Sequence, residues 1–389
     1  MRSGCPGVEK GPILISALKN KQSKADVGFS LFPAAGFPRR FLVPVIALLS
    51  LCLPSATIAA RNPPAHSTRT RGQDSGGTPV AGDRYFEFHS GFWVNLHLFL
   101  LEEAITRMGG RKIGREAEFT HDSSISATLS GTDKTAWDAA IAYYQENLIG
   151  LDLVTSDRMR IIKNTLENFE NEDSLRLSGL DPRLIHVLDD AAPVYRAHWW
   201  TYHDNANRTW IASAVALADQ DGNTLSQDMA QAYETPWPVN AVRVDVVAYA
   251  NDSGAFTTLL PTRITVSSLD PANQKLTAEE VLFHEGSHAL VEKIGNEMLS
   301  GFAEDKKKAP PDLLHAILYF TAGYFVKEIH SDYIPYAEGN GLWQQPSWKG
   351  FHDVIEKDWL RHLQGQSSAG EAISAVVRDV VAVRSNKSE

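Results

Sequence analysis

The chain is nearly without cysteine. Of 389 residues only Cys5 and Cys52 carry a thiol, and both precede the point at which the N-terminus reads as cleaved. What remains can build neither a disulfide framework nor a thiolate metal site, so any metal must be held by His, Asp or Glu. Basic charge is also scarce: 37 Lys and Arg stand against 47 Asp and Glu, a formal net charge of −10. Removing residues 1–60 takes away seven basic and two acidic side chains and moves the balance to −15. So acidic a body argues against nucleic acid as a partner, because that binding rests on neutralising phosphates. A membrane-spanning run is missing as well. The apolar stretch Phe41 to Leu53 is too short for a comfortable span and is broken by Pro44. No internal repeat is visible, which excludes solenoid and propeller architectures.

The N-terminus carries an export signature. Arg39-Arg40 precedes the apolar run, and Thr57-Ile58-Ala59-Ala60 supplies a small-residue exit. That order describes a secretory signal peptide cleaved near Ala60, hence a secreted or periplasmic protein with no membrane anchor after cleavage. Residues 1–38 are then either an N-terminal extension or the product of a start codon placed too far upstream. Lipidation is not expected, since Leu51 stands where a lipoprotein signal has a small residue. Residues 61–83 are rich in Pro, Gly, Ser and Thr without apolar periodicity and read as a flexible linker.

The body reads as α+β and mainly helical. From 84 to 240 the pattern is helical: Phe92, Trp93, Leu96, Phe99 and Leu100 form one stripe, and 134–148, 157–171 and 181–218 behave likewise. Ala241 to Ala250 and Thr262 to Ser268 alternate or are β-branched, which predicts a small sheet. Helices are then expected over 278–298, 312–329, 349–363 and 369–384. Helices, a small sheet and helices again suggest an α+β domain whose last part, 241–389, carries the chemistry.

That chemistry sits in His284-Glu285-Gly286-Ser287-His288. Thr277 and Glu280 form a capping box that predicts a helix from 278. On it His284 and His288 lie one turn apart on the same face, able to grip one metal ion. Glu285 is beside the first ligand, placed to handle a water's proton without ligating. Val281, Leu282, Ala289, Leu290 and Ile294 make the helix largely buried, where exclusion of water strengthens such a site.

Over 262–295 the chain resembles the zincin metallopeptidases, whose HExxH helix lies beneath an edge strand that holds substrate backbone. Thr262 to Ser268 is the nearest candidate for that strand. The resemblance implies a Zn2+ cofactor, hydrolysis of a peptide or other amide bond outside the cytoplasm, and Glu285 as general base toward a zinc-activated water. Two departures matter. The metzincins continue HExxHxxGxxH, but Val291 and Ile294 occupy those Gly and His positions. The glutamate-ligand branches place that residue about twenty positions past the motif, where Lys306, Lys307 and Lys308 stand. The strings NLHLFL and YRAHWWTYHDNANRTW are also similar to uncharacterised exported bacterial proteins, which implies no mechanism.

The third ligand must come from elsewhere. Pro310-Pro311-Asp312 reads as a helix start with Asp312 as N-cap and His315 in the first turn. A returning helix brings that turn near the motif, so His315 is the favoured ligand, with Glu304 and Glu328 as rivals. Arg196, Trp200, His203 and Asn207 recur at helical spacing; His203 is a candidate oxyanion stabiliser, or the stripe is a packed seam. His89, Asn95 and His97 read the same two ways. Tyr319, one turn past His315, and Tyr333 or Tyr336 are candidate phenolic donors. The run Asp305 to Lys308 reads as a solvated loop. Two other readings stay open: a zinc hydrolase of a non-peptide amide or ester, and an exported non-enzymatic protein with a structural metal. The oligomeric state is not legible.

Overall fold

The computed structural model describes residues 78–109, 116–250 and 254–385. The segments read as N-terminal extension, signal peptide and, up to residue 77, linker lie outside the described residues. The fold is α+β and mainly helical, built on one five-stranded sheet. Its strands are β1 (Ala81–Gly82), β2 (Phe86–His89), β3 (Val242–Val247), β4 (Ala255–Thr258) and β5 (Arg263–Ser267), in the order β1-β2-β3-β5-β4. β2, β3 and β5 run parallel, and β1 and β4 are antiparallel edges.

Three sequence expectations change here. β1 lies inside the segment read as linker, because Ala81 and Gly82 pair with Phe88 and Glu87. β2 interrupts the stretch read as helical. Strand Thr262 to Ser268 is not an edge: β5 is flanked by β3 and β4, and the edge strand is the four-residue β4.

Between the neighbouring strands β2 and β3 the chain makes one long crossover of six helices: α1 (Phe92–Arg107), α2 (Glu116–Thr128), α3 (Gly131–Asn147), α4 (Asp157–Asn168), α5 (Pro182–Tyr195) and α6 (Thr201–Ala232). Local chemistry sets their starts. Ser156 Oγ accepts from Met159 N at the head of α4, and Asp181 Oδ1 accepts from Arg183 N ahead of Pro182 in α5. A single π-helical turn, Arg196–Trp200, joins α5 to α6. After the sheet come α7 (Leu276–Ser287), α8 (Glu292–Glu304), α9 (Leu313–Ile329), the short α10 (Tyr336–Gly339), α11 (Phe351–Val354) and α12 (Leu360–Leu363), and α13 (Ala369–Ser385).

The sheet separates two apolar cores. Phe86, Phe88, Val242, Val244 and Val246 pack with α6, α7, α9 and α13. The other core is built from α1, α3, α4 and α5 with Tyr249 and Phe256. A buried ionic layer lies between α4 and the sheet. Lys163 Nζ and Arg263 Nη1 each meet Glu167 at 2.6 Å, and Arg243 Nη2 meets both Asp245 and Glu170 at 2.7 Å. Burial would raise the Asp245 carboxyl, but Arg243 overrides it and holds the group at about 2.

Every carboxylate in that layer faces a Lys or Arg. Arg263→Met leaves Glu167 Oε2 without its partner, with Lys163 alone at Oε1, and should cost about 1–3 kcal/mol, the usual loss when a buried acceptor is left unmet. Urea unfolding measures it, and replacing Lys163, Glu167 and Arg263 together by Met should recover a good part, because no buried charge of the trio is then left unpaired.

Candidate metal centre

α7 begins two residues earlier than the capping box predicts, at Leu276. Its N-cap is Lys275, at φ 59°, with no side-chain cap. Glu280 does not turn back to the helix start; its Oε2 accepts from Tyr333 Oη at 2.6 Å and from Tyr336 N at 2.8 Å. Those bonds tie the segment after α9 to α7. The helix also ends sooner than expected. Ser287 is its last residue and His288 its C-cap, closed by Ala289 N donating to Gly286 O and Leu290 N to Ser287 O. One helix over 278–298 is thus two, α7 and α8, with a tight turn between.

The motif keeps its geometry up to that turn. His284 and His288 have ring centroids 5.3 Å apart, nearly perpendicular. α9 packs beside α7 and delivers His315 from its first turn, so that His284 Nε2 and His315 Nε2 are 3.0 Å apart. Asp312 occupies the N-cap of α9 but makes no side-chain cap bond. One ring nitrogen from each of His284, His288 and His315 lies within 4.8 Å of the others. Glu304 and Glu328 are exposed and take no part in this cluster.

Electrostatics keep the three imidazoles neutral. Burial, with the neighbouring rings, pushes His284 well below the usual histidine value and His288 to about 3; burial takes His315 to about 4. Neutral imidazole is the form that offers a lone pair. Zinc–nitrogen bonds of about 2 Å set ligand nitrogens roughly 3–3.5 Å apart. The all-nitrogen donor set therefore fits a divalent ion such as zinc.

Glu285 lies against the same cluster. Its Oε2 accepts from Thr257 Oγ1 at 2.7 Å and lies 3.9 Å from His288 Nε2. Burial raises the carboxyl to about 7, with the Thr257 hydrogen bond opposing. Thr257 comes from β4, and its Oγ1 also lies 2.9 Å from Glu285 O, so its single hydroxyl proton sits between the carboxylate and the backbone carbonyl of this residue. No signal in the sequence marked a four-residue strand, and Thr257 was not foreseen. Gly286 admits no side chain: a Cβ there would come 2.5 Å from Trp237 Cη2. Trp237 in turn packs on Phe283 and edge-on to Phe86, wedging the motif against the sheet.

Tyr319 does reach the cluster. Its ring stacks on His284 at 3.8 Å and on Tyr336 at 5.3 Å, with Trp348 beyond. Burial and the adjacent Tyr336 and Glu285 push its phenol well above the usual range, so it keeps its proton. Tyr333 is committed to Glu280.

His203 is a correction. It is fully buried among Phe99, Tyr195 and Tyr249, residues of the other core. Nε2 lies 3.0 Å from Asp122 Oδ2 and Nδ1 2.7 Å from Tyr195 Oη, so both ring nitrogens are engaged and neither can serve an oxyanion. The rest of that stripe is a seam. Asn207 bonds Asn95, Ser90 and Ser268, and Arg196 covers the Phe92 ring. His89 pairs with Glu170 and His97 with Tyr144.

Comparison with protein-family models, with curated proteins and with solved structures returns no match.

Gly286→Ala should destabilise the protein by about 1–3 kcal/mol, the common cost of overpacking, because the helix and the indole must separate. Thermal or urea unfolding reads this. Trp237→Leu in the same chain should relieve most of the loss, and failure to do so would place the strain elsewhere.

Proposed function

We propose that the chain is a zinc-dependent hydrolase, zincin-like in its HExxH helix, acting on a peptide or other amide bond outside the cytoplasm after residues 1–60 are removed. The observation that carries the reading is the convergence of three neutral imidazoles, from His284, His288 and His315, beside the buried carboxylate of Glu285. Zinc held by these three nitrogens would keep an open position, where it polarises a carbonyl and makes water a better nucleophile.

The remaining steps belong to the chain's own groups. Glu285 takes the proton of the attacking water and returns it to the leaving amine, a role suited to a carboxyl raised toward neutrality. Thr257 fixes one carboxylate oxygen by its 2.7 Å hydrogen bond and leaves the other for the proton. Tyr319 buttresses His284 by stacking and keeps a phenolic proton for a developing oxyanion. The surrounding Tyr336 and Trp348 rings exclude bulk water.

One observation favours a small substrate over a long extended peptide. All four residues of β4 are buried, backbone included, so this edge offers little room for an added strand. A short peptide, a terminal residue or a compact non-peptide amide or ester fits that enclosure better.

Glu285→Gln should lower kcat by roughly a thousandfold or more while zinc content stays unchanged, consistent with removal of a general base. His284→Ala should lose activity and the zinc of this cluster. Tyr319→Phe should lower kcat about 10–100-fold with KM little altered if the phenol serves the oxyanion; an unchanged kcat leaves the ring only its stacking role. Turnover assays on peptide and small-amide libraries, paired with metal analysis, check all three. Full activity of Glu285→Gln on a genuine substrate would sink the mechanism.

A further inference from the structure

A second group of chemistry-bearing side chains lies on the other side of α7, outside the histidine cluster. Asp221 from the middle of α6, Glu279 from the first turn of α7 and His330, the C-cap of α9, each present one ligand atom within 4.8 Å of the others. His330 Nε2 is 2.8 Å from Asp221 Oδ2 and 3.8 Å from Glu279 Oε2. Gln220 Nε2 also donates to Asp221 Oδ2, at 3.3 Å.

The decisive member is Glu279. Its side chain is 1% exposed, yet neither carboxylate oxygen has a hydrogen-bond partner. A buried carboxylate without partners is costly, by far more than a typical hydrogen bond returns. A protonated His330 does not remove that cost. Nε2 has one proton to give, and Asp221 at 2.8 Å takes it, leaving both oxygens of Glu279 unmet. Nor does the head of α7: charge at a first turn is favoured by roughly 0.3–1 kcal/mol, and burial with the nearby Asp221 outweighs it, since Glu279 is raised to about 8. Among the described residues no Lys or Arg forms an ion pair with Asp221 or Glu279, whereas the buried carboxylates beneath the sheet all have one.

We infer that Asp221, Glu279 and His330 form a second divalent-cation site, one that ties α6, α7 and the end of α9 together. Two carboxylates and one imidazole are a mixed oxygen–nitrogen set, which suits zinc or a similar first-row ion better than calcium or magnesium, whose shells are oxygen alone. His330 is 23% exposed and opens the group to solvent, so an ion can reach it after folding. Its role is structural: the ion supplies the positive charge that the chain omits here, and it fixes the N-terminal end of the helix whose C-terminal end carries His284 and His288.

Zinc titration of the purified chain, followed by exhaustive dialysis and metal analysis, tests this independently of the proposed hydrolase. Wild type should retain two zinc ions per chain. His284→Ala with His315→Ala should retain one, and that ion should be lost when His330→Gln and Glu279→Gln are added. In the two-histidine variant zinc should also raise Tm, and this rise should vanish with the second pair of changes. A wild-type chain that retains one zinc and loses it with His284→Ala overturns the inference without reference to any variant at 279 or 330. So does a folded His330→Gln, Glu279→Gln chain, checked by circular dichroism, that still retains two. A single zinc kept by His284→Ala but lost with His330→Gln supports the second site and removes the metal from the proposed catalytic one.

Discussion

A row of buried carboxyl groups on α7 is the constraint around which this half of the molecule is arranged. From Ala278 to Ser287 every residue of the helix is buried, and three of them are glutamates. In the layer between α4 and the sheet the chain answers buried carboxylates with Lys163, Arg243 and Arg263. On α7 it uses no basic side chain in the described structure. Glu280 is answered by a phenol and a backbone amide, Glu285 by a threonine hydroxyl, and Glu279 by no hydrogen bond. The two answers come from different elements, so α7 holds β4 and the segment after α9 in register around itself. All three carboxyls are raised by burial, to about 8, 7 and 7 in chain order. A cluster so short of positive charge is the setting in which divalent ions bind strongly.

What could be read from sequence was local. The four-residue spacing of His284 and His288 needs only one helical turn to have meaning, and Pro310-Pro311-Asp312 fixes the start of α9 within a residue, which is why His315 could be placed. Long apolar periodicities gave α1, α3, α4 and α9 with small errors at their ends. The misses were set by contacts distant in the chain. Glu280 forms no capping box because Tyr333 and Tyr336, more than fifty residues away, compete for its carboxylate. The helix stops at Ser287 although Ala289, Leu290 and Ile294 continue an apolar pattern; that pattern is shared by two helices separated by a turn. β5 reads as an edge until β4, only four residues long, covers it. His203 and Asn207 lie on one stripe as the spacing says, but spacing cannot tell a cleft wall from a seam between cores.

The order of the sheet explains where the site can be. Six helices intervene between β2 and β3, yet the histidine cluster and Glu285 with its threonine come from residues after 254. The crossover supplies backing instead, with Asp221 beside Glu279 and residues of α6 behind the sheet. Trp237, just past that crossover, is the wedge that makes Gly286 obligatory. A site built on α7, α9 and β4 has its positions fixed by regular elements on three sides, which favours a preorganised arrangement over one assembled by loops.

α5, the π turn and α6 form one unbroken helical run from Pro182 to Ala232. Leu184, Leu188, Tyr195 and Trp199 at one end belong to one core, and Trp210, Leu225 and Met229 toward the other end belong to its neighbour. Neither core can melt without releasing a wall of the other. The two cores therefore share one mechanical member, and with it one cooperative transition: the slowest-exchanging backbone amides of both cores should open with the same free energy, whichever core they occupy.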